Sequence, residues 1–272
     1  MALITITAGI GSDAPLIANH VANRLSAELY DDDRLQKEFL AMGLSSKDIE
    51  SLDEKAPGFF SRLLDMRPKS YQELLEAVVY RVAQSGEGVI IGHGSPFLLQ
   101  DFGCALHVRI YSSETQRVKR IAKEWKIDEN NARKAIRKSD SDRRGFMEYA
   151  FNIRWDDMGL YDLIVNIDKL AYEPAAEMII AVASSDIINS CSLAALEAMK
   201  RYSLEKRIEA VVKQALLVPK NVQVSVTEDG QVTLMGVMNP LESQDRLLEA
   251  VRSVPGVKDI VARIANEKIH DI

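Results

Sequence analysis

The sequence is short of cysteine, of net positive charge and of long apolar runs, and each shortage excludes a class of protein. Cys104 and Cys191 are the two cysteines in 272 residues. They stand far apart with no partner at CxxC spacing, which argues against a disulfide framework and against a zinc ribbon. Acidic residues outnumber Lys and Arg by 40 to 34, for a formal net charge of −6. A general nucleic-acid coat draws its affinity from net positive charge, so that role does not fit. No stretch reaches the roughly eighteen uninterrupted apolar residues that span a bilayer. The longest candidate, Ala175 to Ala183, stops at Ser184-Ser185-Asp186. Met1-Ala2-Leu3-Ile4-Thr5-Ile6-Thr7 has no basic stretch and too short an apolar run for a secretory signal. The expectation is a soluble, cytoplasmic protein in a reducing compartment.

Apolar residues make up 47% of the chain, enough to bury a sizeable core in one or two domains. A β-branched strand over 2–7 runs into the loop Gly9-Ile10-Gly11-Ser12-Asp13, then a helix from about Ala14 with Ile17, Val21 and Leu25 on one face. Leu29-Tyr30 leads into Asp31-Asp32-Asp33, and 34–66 reads as helix with loops around Gly43 and Pro57-Gly58. Ser70-x-x-Glu73 is a capping box ahead of Leu74, Leu75, Val78, Val79 and Val82. Short apolar runs at 89–92, 105–111 and 161–166 read as buried strands. Ser113-x-x-Gln116 caps a helix carrying Val118, Ile121, Ala122 and Trp125, a charged helix covers 128–151, and another helix follows Pro174. Strands alternating with helices predict an α/β domain around a parallel sheet. Its first unit, strand, Gly loop, helix, is where phosphates commonly sit.

The pattern changes after about residue 185. An amphipathic helix over 204–217 precedes an alternating strand at 222–226, the turn Glu228-Asp229-Gly230, and a return strand at 231–237. A helix over 240–252 and a strand over 257–264 complete an α-β-β-α-β unit.

In this layout residues 1–183 resemble the cytidylate kinase-like family of P-loop nucleoside monophosphate kinases. The likeness rests on Ile4-Thr5-Ile6 before Gly11-Ser12, on Tyr30-Asp31-Asp32, and on Val89-Ile90-Ile91-Gly92-His93-Gly94. It continues through His107-Val108-Arg109-Ile110-Tyr111, Asp140-Ser141-Asp142-Arg143 and Tyr161-Asp162-Leu163-Ile164-Val165-Asn166. Residues 203–267 are similar to a BON domain, through Asp229-Gly230-x-Val232-Thr233-Leu234-x-Gly236 and Val254-Pro255-Gly256-Val257. The expected fold is therefore α/β: a P-loop kinase-like parallel sheet flanked by helices over 1–183, a linker over 184–202 that is partly helical, and a small BON-like domain over 203–267. The resemblance implies transfer of a phosphoryl group from ATP, with Mg²⁺, to a pyrimidine nucleoside monophosphate. The work of such a site is positioning and charge neutralisation.

The residues supply part of that machinery. A P-loop reads GxxxxGK[ST], with Lys on the phosphates and the hydroxyl on Mg²⁺. Setting Gly11-Ser12 on it puts Asp13 at the last Gly, Ala14 at the Lys and Pro15 at the Ser/Thr. Gly9, Gly11, Ser12, Asp13 and Ala14 thus form either a degenerate phosphate cradle or a plain turn in which Asp13 caps the helix and occupies the donors a phosphate needs. His93 stands where the family has an arginine, as a weaker anion ligand or as an ordinary loop residue. Between Arg109 and Arg144 there are twelve Lys/Arg and six Asp/Glu. Arg117 and Arg120, on the helix face away from Ile121 and Trp125, with Arg143 and Arg144 of the lid, are read as a phosphate clamp. The plainer alternative is a solvated helical hairpin.

Asp31 is a candidate metal anchor or proton acceptor, Asp32 a candidate substrate ligand, and the three acids together also suit a helix N-terminus. Asp162 would pair with a lid arginine or take part in the chemistry; no metal-binding cluster is expected. The BON-like region has eight basic and nine acidic residues and no polybasic or aromatic-rich amphipathic stretch. Membrane binding is therefore not favoured, and a protein or small-ligand contact, or self-association, is. Two further readings stay open. One is a non-catalytic descendant signalling through the BON-like domain. The other is RNA or polyphosphate binding by the basic stretch.

Overall fold

A computed structural model describes residues 2–42, 71–189, 191–216, 221–239 and 242–266. Ser70 of the expected capping box and the helical reading of 43–66 lie outside the described residues. The chain divides into two compact units: Met1–Met66 with Ser85–Ser192, and Arg67–Gln84 with Leu193–Ile272.

The first unit is built on β1 (Leu3–Ala8), β2 (Leu29–Tyr30), β3 (Gly88–Ile91), β4 (Ala105–Tyr111) and β5 (Leu163–Asn166). They form one parallel sheet in the order β2-β3-β1-β4-β5. A parallel sheet covered on both faces needs strands that are apolar throughout. Accordingly Leu3, Ile4, Ile6, Val89, Ile90, Leu106 and Val108 are fully buried. Helix α1 (Ala14–Leu25) packs Ile17, Ala18 and Val21 into that core. Helix α2 (Asp32–Ala41) starts on Asp31, whose carboxylate accepts from the Arg34 amide at 3.0 Å.

The chain leaves β1 towards β2 and β3 and returns on its other side as β4 and β5, so the strand order reverses at β1. That reversal opens a crevice at the C-terminal ends of the strands, where α/β folds bind ligands. Between β4 and β5 lie α5 (Glu114–Trp125) and α6 (Glu129–Phe151), after a short α4 (Ser95–Leu98) that follows β3. Ser113 caps α5 by accepting from the Gln116 amide, as its spacing predicts.

Cys104 and Cys191 form a disulfide across a sequence separation of 87, which corrects the expectation of a chain without one. Sequence spacing carries no information on such a pair; folding brings the residue before β4 against the segment that follows α7 (Tyr172–Ala183) and α8 (Asp186–Asn189).

The second unit joins α3 (Tyr71–Ala83) to α9 (Leu193–Ala215), which extends the helix expected from 204 by eleven residues at its start. Along α9, Ser203 Oγ donates to the Ala77 carbonyl at 2.8 Å and Tyr202 packs its ring 5.7 Å from that of Tyr80. Lys206 pairs with the buried Glu76 at 2.9 Å and with Glu209 at 2.9 Å, and Lys213 pairs with the buried Glu73. Burial alone would push the Lys206 ammonium down, but the Glu76 and Glu209 carboxylates hold its pKa above the ordinary value.

Strands β6 (Val222–Val226) and β7 (Gln231–Met238) form an antiparallel hairpin, and β8 (Asp259–Asn266) runs parallel to β7 after α10 (Gln244–Arg252). Ile208, Val212, Val232, Leu234, Leu247 and Val251 close the core. Gly236 is required where it stands: a Cβ there would lie 1.8 Å from the Asn221 carbonyl oxygen. Among the described residues no helix is long and apolar enough to cross a membrane.

Candidate phosphate-handling site

Three arginines converge on the loop between β1 and α1. Arg117 is buried; its Nε donates to the Ile10 carbonyl at 2.7 Å and its two terminal nitrogens grip Asp140 at 2.9 and 2.7 Å. A Cβ on Gly9 would stand 2.6 Å from the Arg117 guanidinium carbon, so the loop must lack a side chain for the arginine to lie on it. Arg120 donates to Ser112 Oγ at 2.9 Å, to the Ile167 carbonyl at 3.0 Å and to the Gly11 carbonyl at 3.3 Å. Arg143 donates to the Ala8 carbonyl.

The expectation that Arg117 and Arg120 face away from Ile121 is corrected. Gly11 packs against both the Arg117 backbone and the Ile121 side chain, while Trp125 is 41% exposed. With glycines opposite it, the inner face of α5 has room for a guanidinium as well as for its apolar residues. Arg144 is exposed on α6 and makes no hydrogen bond or ion pair among the described residues, so it does not join the cluster.

Asp13 sits at the N-cap position of α1 with φ 51° but makes no side-chain cap. Its carboxylate turns to Arg120 Nε at 3.0 Å, which leaves the amides of Ala14 and the first turn without a side-chain acceptor. Ser12 Oγ is spent on the Gly9 carbonyl at 2.5 Å. Asp162 departs from its expected pairing with a lid arginine: it accepts from the His107 amide at 2.8 Å, and its own amide returns a bond to the His107 carbonyl at 2.8 Å. It therefore extends the β4–β5 pairing.

His93, buried at φ 58° between Gly92 and Gly94, pairs through Nε2 with Asp32 Oδ1 at 3.0 Å. This brings the β3 turn and the start of α2 together at the C-terminal edge of the sheet. His93 also lines a small cavity of about 20 Å³ with Thr7, Phe97, Arg143, Trp155 and Tyr161. Arg143, on the cavity wall, and Arg109, outside its lining, lie over the Trp155 ring, 5.4 and 4.8 Å from the centroid, and Arg109 also lies 5.6 Å from the Tyr161 centroid. Aromatic faces hold a guanidinium without neutralising it. Among the described residues neither arginine has a carboxylate within ion-pair distance. The Tyr161 hydroxyl donates to the Trp155 carbonyl at 2.5 Å, and burial pushes its pKa up.

Residues 3–169 match the model of the cytidylate kinase-like family. The chain belongs to that family. Residues 204–266 match the model of the BON domain. A curated relative, a cytidylate kinase from Staphylothermus marinus, is 26% identical over 183 residues, spanning 66% of this chain and 94% of its own. An uncharacterised protein from Eubacterium ventriosum has a similar fold, with a TM-score of 0.51 at 20% identity, over 67% of this chain and 97% of that one.

The sequence reading did not single out the cluster of Arg109, Trp155 and Tyr161 that the fold assembles beside Arg143. Arg109 had a signal: a charged residue on an apolar strand of a buried sheet needs a reason to be there. Trp155 had none, because its position depends on how the segment after α6 folds back.

Proposed function

We propose that the first unit transfers the γ-phosphoryl of ATP to a pyrimidine nucleoside monophosphate. The observation that carries this reading is the pair Arg109 and Arg143, stacked on Trp155 at the strand-order reversal and without a carboxylate. Two permanent cations held over one aromatic ring, with no carboxylate within ion-pair distance among the described residues, invite an oxyanion. Arg143 links them to the loop, since it also holds the Ala8 carbonyl.

In this reading the amides at the start of α1 receive the triphosphate. Arg117 and Arg120 brace the loop from behind, through its carbonyls, and keep those amides pointed at the phosphates. Arg109 and Arg143 neutralise charge on the phosphoryl in flight, standing in for the lysine that Ala14 lacks. His93, oriented by Asp32, borders the acceptor. An oxygen of the acceptor monophosphate attacks the γ-phosphorus, the bond to the β–γ bridging oxygen breaks, and ADP leaves with that electron pair. The attacking oxygen is already anionic near neutral pH, so no general base is needed.

The residues fit a protein-held Mg²⁺ poorly. Asp31 is engaged as a cap, Pro15 replaces the hydroxyl, and no group of three or more His, Cys, Asp or Glu able to hold a metal occurs among the described residues. A metal would arrive with the triphosphate as part of the substrate.

A cavity of about 20 Å³ is too small for a nucleoside, so the C-terminal half of α6, with Phe146 and Met147, has to open to admit one. Calorimetry with ATP and Mg²⁺, followed by CMP or dCMP and a search for diphosphate, tests the reading. Turnover is expected. Nucleotide binding without product would make the unit a sensor instead, and no binding at millimolar ATP would leave it a scaffold.

A further inference from the structure

Strand β8 is an edge of the second unit's sheet, whose order is β6-β7-β8. It pairs with β7 in one unbroken parallel register from Asp259 to Asn266, and no described strand pairs with its other side. A soluble protein usually blunts such an edge with a short strand, a proline, a bulge or an inward-pointing charge. β8 has eight residues, no proline, no break in its register and no charge on its inner face.

The register fixes what that edge offers. Ile260, Ala262 and Ile264 lie beside Val232, Leu234 and Gly236, on the face turned to the core. Val232 and Leu234 are fully buried, whereas the three residues of β8 are only half-buried, because the sheet stops at them. The Gln231 carbonyl accepts from the Thr227 amide at 3.0 Å, so the odd-numbered residues of β7 bond β6 and the even-numbered ones bond β8. In register with these, Ile260, Ala262 and Ile264 turn their amides and carbonyls to the open side. The Ile260 amide there donates to Asp259 Oδ1 at 2.8 Å. On the outer face stand Asp259, Val261 and Arg263. Asp259 and Arg263 are exposed, and neither makes an ion pair among the described residues.

We propose that β8 is a homodimer interface: two copies pair their β8 edges antiparallel about a two-fold axis at Val261, which joins two three-stranded sheets into one. The charge pattern selects both the occupant and the register. An acid and a base four residues apart on one face are complementary to themselves about the residue midway. Centred on Val261, each Asp259 stands opposite Arg263 of the second copy, and valine meets valine. These are non-hydrogen-bonded pairs, in which the side chains come closest. The open amides and carbonyls of Ile260 then meet those of Ala262 in the other copy. Centring on Ala262 would set Val261 against Arg263, and centring on Arg263 would set two arginines together. The added strand also covers the half-buried inner residues of β8. The contact is small, so the dimer is a reversible one. No residue of the first unit enters it, and the phosphotransfer reading stands or falls separately.

The test is sedimentation equilibrium of the full chain at low salt, with amide hydrogen exchange at low and high protein concentration. A monomer–dimer equilibrium is expected, and the amides of Ile260, Ala262 and Ile264 should exchange more slowly as the dimer fills. Asp259→Arg and Arg263→Asp each set like charges opposite one another, and each should weaken dimerisation about tenfold. Both positions are exposed, so both variants should keep the thermal unfolding midpoint of the parent. Mixing the two variants in equal amounts sets opposite charges face to face again and should restore association as a heterodimer. Three results would overturn the proposal. One is a dimer that neither reversal weakens, which would use another surface. Another is loss in both variants without recovery on mixing. The third is a monomer at every concentration: with the three amides already protected, the chain covers its own edge, and with them unprotected, the edge does not pair with itself.

Discussion

The two units manage buried positive charge differently. In the first, Arg117 is half neutralised by Asp140 and half occupied by a loop carbonyl, Arg120 by Asp13 and two carbonyls, and Arg109 and Arg143 rest on an aromatic face. In the second, Lys206 and Lys213 have buried glutamates, while Arg207 has no ion pair among the described residues. A cation with a carboxylate partner supports the fold; one that meets a ring and a carbonyl but no carboxylate keeps its charge for a ligand. The contrast ranks the cations by the job each can do, and it can be broken experimentally.

The largest effect is expected at Arg143. Arg143→Ala should lower kcat for ATP and CMP by about 10²–10³, with little change in the midpoint of thermal unfolding. The neighbouring exposed Arg144→Ala should leave turnover unchanged. Equal losses in the two variants would erase the distinction between a stacked guanidinium and a solvated one.

Next comes the paired cation of the second unit. Lys206→Met strands Glu76 in a buried position and should cost about 3 kcal/mol in urea unfolding. Adding Glu76→Gln should restore much of it. A smaller gain is expected from Asp13→Gly, which removes an anion from the start of α1 at a positive φ. MgATP should bind about fivefold tighter by calorimetry, the scale of one charge at a helix end. Unchanged affinity would mean that the helix amides do not face the phosphates.

The smallest effect concerns a charge that the fold suppresses. His107 is buried, holds Thr5 Oγ at 2.8 Å and the Leu99 carbonyl at 3.1 Å, and burial lowers its pKa from 6.5. The unfolded chain therefore takes up this proton first. The stability linked to His107 is present above about pH 6.5 and drains as the pH falls through the lower folded value. His107→Gln should flatten the slope of unfolding free energy against pH between about 7 and 5; an unaltered slope would place the titration elsewhere.

The parallel sheet, the Gly loop, the charged helix and the small C-terminal hairpin were all legible, because hydrophobic period and turn chemistry are local. What lay outside the reading was set by contacts across long stretches of chain. The periodicity of α5 shows which residues are apolar, but not that Gly9 and Gly11 stand opposite and leave room for Arg117. Asp162 gives no hint that its partner is a backbone amide on β4. Cys104 and Cys191 meet only once β4, α5, α6, β5 and α7 are in place. Arg207 looks in sequence like any solvated helix residue; its isolation shows only when α3 and the turns at Gly230 and Gly256 close around it.

Helix α3 has a consequence for how the chain is made. Leu74, Leu75, Ala77, Val78, Val79 and Val82 are all buried, and α9 is its partner in the second unit. Yet about a hundred residues, including three strands of the first sheet, are translated between them. At roughly 5–20 residues per second, α3 waits on the order of ten seconds outside the ribosome before its partner helix exists. During that interval a helix with nine apolar residues of thirteen, and with the glutamates Glu73 and Glu76 not yet paired to α9, is carried between strands of a nascent sheet. The second unit cannot be completed until the last third of the protein is made, so a chain cut short after residue 183 would carry α3 without its partner.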